Sequence, residues 1–173
     1  VGSLAVAILA KKGYPVTAST GRIDELKAHL LSLGASEVMD RQGLAHEPSY
    51  RPLMKEVFAG GVDSVGGFTL SSVLAQTQYG GAVAACGVAG GAGLDKLTVM
   101  PFILRGVRLL GVDSVYASQA ARKRVWDDVC ATLDGTTLEN NSTLIPLSEV
   151  PAYAPKILKG QVRGRIVVEI PSQ

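Results

Sequence analysis

The stretch Ser19-Thr20-Gly21-Arg22 carries the clearest chemistry in the chain. Two hydroxyls and a guanidinium flank a glycine, at the point where a short strand gives way to a helix. NAD-binding domains usually place Asp or Glu there to hold ribose hydroxyls. This chain offers hydrogen-bond donors and one fixed positive charge instead. Arginine presents a planar fork that matches phosphate oxygens, so the set suits a ribose 2′-phosphate. A solvated turn with a surface arginine is the plain alternative, and these four residues weigh the two equally.

Other candidates are weaker. Val1-Gly2-Ser3 opens a helix and could end a glycine-rich turn facing a pyrophosphate. Two of that turn's three glycines and its strand are not in the sequence, so a plain helix start is the better reading of these three residues. Gly66 to Phe68 and Gly87 to Gly93 are glycine-rich loops, open to close approach of a flat or charged ligand. Cys86 reads as a small buried hydrophobe rather than a nucleophile. His29, in a helix, and His46, in a polar loop, read as solvated. Arg105 and Arg108 are only slightly raised as anion binders, and Arg122-Lys123-Arg124 reads as an exposed face. There is no Gly-x-Ser-x-Gly elbow and no Tyr-x-x-x-Lys pair; Tyr153 and Lys156 stand at the wrong spacing. No acid, base or nucleophile stands out.

Composition bounds the reading. Of 173 residues, 47% are hydrophobic and 18% charged, which suits a folded domain with a sizeable core. The net charge of +2 and the 5% aromatic content argue against nucleic acid. Cys86 and Cys130 lie far apart, with neither histidine near them, so no metal site is expected. No apolar run is long enough to span a bilayer, no secretory signal opens the chain, and a cytoplasmic location is expected.

Periodicity supplies the elements that must position these residues. Helices are predicted over Gly2 to Gly13, Ile23 to Leu33, Leu53 to Ala59, Thr69 to Gln78, Met100 to Arg105, Ser118 to Leu133 and Glu149 to Lys159. The Ser118 helix should bury Val125, Trp126, Val129, Cys130 and Leu133. Strands are predicted over Tyr14 to Ser19, Glu37 to Met39, Val62 to Val65, Ala82 to Cys86, Val107 to Val112, Thr143 to Pro146 and Arg165 to Ile170. The Ala82 strand should be buried on both faces. Arg41 to Pro52 reads as loop and Gly135 to Asn141 as a turn-rich break. The alternation implies a Rossmann-like α/β fold, a doubly wound parallel sheet with ligands at the carboxyl ends of its strands.

Several blocks resemble the medium-chain dehydrogenase/reductase superfamily: Ser32-Leu33-Gly34-Ala35-Ser36-Glu37-Val38, Gly61-Val62-Asp63-Ser64-Val65-Gly66-Gly67 and Gly164 to Ile170. Val73 to Gln76, Tyr79 to Gly91 and Val99 to Val115 resemble its zinc-free acryloyl-CoA reductases, often labelled putative quinone oxidoreductases. The resemblance implies NADPH-dependent reduction of an activated carbon–carbon double bond, with acryloyl-CoA going to propionyl-CoA foremost. It places Gly2 at the pyrophosphate, Ser19, Thr20, Gly21 and Arg22 at the 2′-phosphate, and Gly66, Gly87 and Val88 along the cofactor. A quinone reductase and a non-catalytic NADP(H)-binding module are the alternatives. The implied organisation is a dinucleotide-binding domain over 1–135, N-terminally truncated and lacking its first strand. A segment over 136–173 would return to a catalytic domain outside the chain. That domain would carry the catalytic residues, so the fragment alone should be inactive. A small-molecule substrate and a homodimer through Val107 to Val112 are the expected partners.

Overall fold

The computed structural model describes residues 1–45 and 49–170. The reading of His46 as a solvated loop residue lies outside them. The chain alternates helix and strand: α1 (Gly2–Lys11), β1 (Thr17–Thr20), α2 (Ile23–Ser32), β2 (Glu37–Asp40), α3 (Arg41–Leu44), β3 (Phe58–Asp63), α4 (Gly67–Gln76) and β4 (Thr77–Ala85). There follow α5 (Met100–Arg105), β5 (Arg108–Gly111), α6 (Gln119–Thr132), α7 (Gly135–Asn140), β6 (Ser142–Pro146), α8 (Val150–Leu158) and β7 (Arg165–Glu169).

All strand pairs are parallel. Among the described residues they form three groups, β1-β2, β3-β4-β5 and β6-β7. The α/β class is therefore as the alternation implies, but the strands do not join into one ladder. β1 and β3 are not hydrogen-bonded to each other. The division falls between the β1-β2 pair and the β3-β4-β5 group.

Two apolar cores match this division. The first joins α1, β1, α2 and β2 through Val6, Ala7, Ala18, Leu30, Val38 and neighbours, closed by Leu133 beyond α6. The second packs Leu70 and Leu74 of α4 on Val83 of β4 and on Val107. Leu74 and Val83 are fully buried, each contributing about 1.5–3 kcal/mol by leaving water. Gly34 allows α2 to close on α1: its φ is +97°, and a Cβ there would stand 2.6 Å from that of Ala10.

Five expectations need correction. Leu53 to Ala59 is not helical, because Met54 and Val57 donate their N–H groups to the carbonyls of Ala75 and Gln76, and Phe58 opens β3. The Arg41 to Pro52 loop begins with the single turn α3, whose first free N–H groups are capped by Asp40, with Gln42 N–H donating at 2.9 Å. Gly135 to Asn141 is mostly α7, capped by the Asp134 carboxylate accepting from Thr137 N–H. The α6 stripe is not buried. Ser118 caps the helix as expected, but only Val129 and Leu133 reach the first core, while Val125, Trp126 and Cys130 are exposed. Along β4 only Thr77 and Val83 are buried, and Ala82 to Cys86 is otherwise half-buried.

Candidate functional site

Two groups of residues gather at the carboxyl ends of the strands. The first follows β3 and β4. Asp63, buried at the end of β3, accepts hydrogen bonds from Val65 N–H at 3.2 Å and Gly66 N–H at 2.6 Å, which turns the chain sharply into α4. The loop after β4 lies directly on that turn. Gly90 N–H donates to the Val65 carbonyl at 2.7 Å, and Gly66 and Gly91 form an isolated parallel bridge. A Cβ at Gly87 would stand 2.5 Å from the Ser64 carbonyl oxygen. The glycines thus let two loops close on each other, a demand invisible in either loop alone. The start of α1 joins this cluster, since a Cβ at Gly2 would lie 3.9 Å from the Ser64 hydroxyl oxygen. The structure therefore brings Gly2, Gly66, Gly87 and the exposed Val88 together.

The second group follows β1. Ser19 is exposed and Thr20 buried. The Thr20 hydroxyl accepts from Arg22 N–H at 3.2 Å and closes the turn into α2. Arg22 is half-buried, and its fork is engaged: one nitrogen donates to the Val162 carbonyl at 3.2 Å and the other faces Glu25 at 3.4 Å. Gly21 is flanked by the guanidinium of Arg41, a residue the sequence reading passed over.

The other candidates resolve into structural duties. Cys86 is half-buried and its thiol donates to the Asp63 carbonyl at 3.1 Å. His29 is not simply solvated. It is half-buried, and its Nε2 lies 3.2 Å from Asn141 Oδ1, while Asn141 Nδ2 donates to Ser3 Oγ at 3.1 Å. Arg105 donates to the carbonyls of Ala75 at 2.9 Å and Met54 at 2.6 Å and faces Glu56 at 3.4 Å, so its fork is consumed inside the fold. Arg122 ties down the carbonyls of Ser114 and Val115, and Lys123 pairs with Asp127 at 2.8 Å on the surface. Among the described residues no group of three or more His, Cys, Asp or Glu could hold a metal ion, and no helix is long and apolar enough to cross a membrane.

A chain of parallel βαβ units with glycine-rich turns at its strand ends has the form of a dehydrogenase nucleotide-binding domain. The zinc-binding dehydrogenase family model matches residues 1–129, and the chain belongs to that family. It is 49% identical over 170 residues to the acrylyl-CoA reductase AcuI of Ruegeria pomeroyi, covering 98% of this chain and 51% of that protein. It is 42% identical to the putative quinone oxidoreductase YhfP of Bacillus subtilis, covering 98% and 51%. Among solved structures, the YhdH oxidoreductase of Salmonella enterica in complex with NADP matches with a TM-score of 0.93 at 46% identity, covering 99% of this chain and 51% of that one. Bacillus subtilis YhfP with NAD bound matches with a TM-score of 0.90 at 42% identity, covering 98% and 51%. The chain spans about half the length of the relatives it matches. The family's name mentions zinc, but the described residues offer no ligand set that fits it.

Proposed function

We propose that this chain is the cofactor-binding part of an NADPH-dependent reductase that reduces an activated carbon–carbon double bond, most specifically acryloyl-CoA to propionyl-CoA. The carrying observation is the turn after β1, which holds hydroxyls and arginine where a ribose-binding carboxylate would stand. Its similarity to an acrylyl-CoA reductase and to an NADP-bound structure supports the same reading. The cofactor supplies the hydride when bound. The chain's own residues hold and orient it. Gly2 and the open N-terminus of α1 face the pyrophosphate, where helix N–H groups and the helix dipole favour an anion. Ser19, Thr20, Gly21 and Arg22 surround the 2′-phosphate. Gly66, Gly87 and Val88 present backbone along the nicotinamide side. Residues 1–135 form the dinucleotide-binding domain, and 136–173 return to the catalytic domain, which polarises the substrate. The reductase works without zinc, in the cytoplasm, as a homodimer through Val107 to Val112.

Quinone reduction is the second reading, favoured by the YhfP similarity. The deciding experiment uses the protein carrying the rest of its chain. NADPH oxidation is followed with acryloyl-CoA and with a benzoquinone. Turnover of the thioester with little quinone activity is expected. The reverse preference overturns the substrate assignment, and binding of NADPH without turnover of either would leave a non-catalytic module.

A further inference from the structure

We propose that Asn141 is a positioning residue for hydride transfer, a buried joint that fixes α1 and α2 against the β6-β7 strands. The inference rests on the reductase reading above, in which 136–173 return to the catalytic domain. Asn141 lies between α7 and β6 and is 2% exposed. Its backbone opens the β6-β7 ladder: its carbonyl accepts from Arg165 N–H at 2.9 Å, just ahead of the pairing of Ser142 with Arg165. Gly164 permits that approach. Its φ is +67°, and a Cβ there would run into the Asn141 carbonyl. The side chain of Asn141 reaches the nucleotide-binding unit instead. Its Nδ2 donates to Ser3 Oγ at 3.1 Å, in the first turn of α1. Its Oδ1 lies 3.2 Å from His29 Nε2, on α2. With Nδ2 engaged by Ser3, Oδ1 is the acceptor that remains, so Nε2 carries the His29 proton.

An amide presents a donor and an acceptor side by side, which two unlike neighbours at one buried point require. Leaving any of these groups unpaired away from water is costly, so the three side chains hold one arrangement. Lys11 and Asp134 also tie α1 to this region, but that pair is exposed, whereas Asn141 is buried. One end of the chain of bonds is Ser3, next to Gly2, the residue placed at the pyrophosphate. The other end is the start of β7, on the side that leads to the catalytic domain. Hydride transfer needs the nicotinamide and the double bond about 3–3.5 Å apart, and an error of about 1 Å can cost a hundredfold in rate. A joint between the part that holds the cofactor and the part that polarises the substrate sets that separation. The core of the nucleotide-binding unit, built on Val6, Ala7, Ala18, Leu30 and Val38, does not include Asn141. Cofactor affinity should therefore survive loss of the joint.

The test follows single-turnover oxidation of bound NADPH by the protein carrying the rest of its chain, with whichever of acryloyl-CoA and a benzoquinone the wild type reduces. That rate constant does not depend on how much of the sample is folded, which separates positioning from stability. The variants are Asn141→Ala, His29→Leu and His29→Gln. Asn141→Ala should slow hydride transfer roughly tenfold to a hundredfold, while its NADPH dissociation constant stays close to that of wild type. His29→Leu should slow it less, because the bond to Ser3 survives. His29→Gln returns an amide donor near the Nε2 position and should restore most of that loss. Without cofactor, amide hydrogen exchange at the start of α1 and over β6-β7 should speed up together in Asn141→Ala, while β3-β4 keeps its protection. Unchanged rate constants in Asn141→Ala and His29→Leu overturn the inference, as does unchanged exchange. A loss that His29→Gln fails to restore overturns it too. So does a loss matched by an equal loss of NADPH affinity, which would make Asn141 a support of the pyrophosphate turn alone. If Asn141→Ala does not fold, the two variants at half-buried His29 decide. A wild-type protein that binds NADPH but passes hydride to neither acceptor overturns the reductase reading and the inference with it.

Discussion

Gly66 and Gly91 bridge two loops at a distance only glycine permits: a Cβ on Gly66 would stand 2.4 Å from the Gly91 carbonyl oxygen. Gly66 also has φ +71°, a conformation strained for any residue with a side chain. With ψ at −157°, that backbone lies in a region essentially reserved for glycine, which costs other residues about 1–3 kcal/mol, and the backbone clash adds to it. Gly66→Ala should therefore destabilise by at least about 2 kcal/mol. Chemical denaturation should place its midpoint well below that of wild type. An unchanged midpoint would mean the two loops separate without cost.

Arg105 joins three segments. Its fork meets the carbonyls of Ala75 and Thr77, at the end of α4, and that of Met54, which lies 51 residues earlier in the chain. Its side chain is only 14% exposed, so truncation leaves those acceptors short of a partner. Arg105→Ala should cost about 2–4 kcal/mol, since hydrogen bonds to charged groups contribute about 1.5–3 kcal/mol each. Arg105→Lys should recover little, because an ammonium does not reproduce the fork. The NADPH:NADH affinity ratio should not move. Thermal melts and cofactor titration together check this, and a changed ratio with unchanged stability would return Arg105 to the ligand site.

How much was legible follows the range of the interaction that decides each feature. The helix Met100–Arg105 and the Ser118 cap are local: Pro101 sits in the first turn, Gly106 follows in the left-handed region, and the serine accepts from Ala121 N–H. Both were readable. The segment from Leu53 had helical spacing, but its N–H groups are claimed by the end of α4, more than 18 residues away. Tertiary bonding overrode local pattern there. The break at Gly135 hid a capped helix because glycine, threonine and asparagine outweighed the Asp134 signal. At the site, the turn after β1 was conspicuous in sequence. Arg41 was not, because only the parallel register of β1 and β2 places it beside Gly21. The signal that could have found it is its position directly after the neighbouring strand.

Asp134 links the start of α7 to Lys11 at the end of α1. Hydrogen bonding from Lys11, then from the Thr137 hydroxyl and backbone N–H, holds its carboxyl well below the usual carboxylate range. A depressed folded-state value stabilises the fold above the unfolded value and is lost as pH falls toward the folded one. Stability should therefore decline from this group below roughly pH 4. Asp134→Asn keeps a cap but has no charge to lose. Denaturation midpoints at pH 7 and pH 3 should fall further for wild type than for the variant. Parallel falls would assign the acid sensitivity to other carboxylates.

The open edge of β5 gives the dimer proposal its sharpest test. β5 is hydrogen-bonded to β4 on one side and has no strand on the other among the described residues. Val112 N–H donates to the Ala85 carbonyl, toward β4. Backbone groups alternate sides along a strand, so Leu110 and Arg108 also face β4, while Leu109 and Gly111 present N–H groups at the open edge. Leu110 and Val112 are about half exposed, at 48% and 52%, which adds apolar area beside that edge. Unpaired edges invite a second strand, and two copies of one edge pair across a two-fold axis. Leu109→Pro deletes an outward donor and leaves the β4 ladder its own bonds. The variant should keep its fold and bind NADPH as wild type does, but its dimer dissociation constant should rise about fivefold or more, the loss of a hydrogen bond at each of two related positions. Sedimentation equilibrium on the protein carrying the rest of its chain measures this. An unchanged dimer, or a wild-type protein that sediments as a monomer, would remove β5 from the interface.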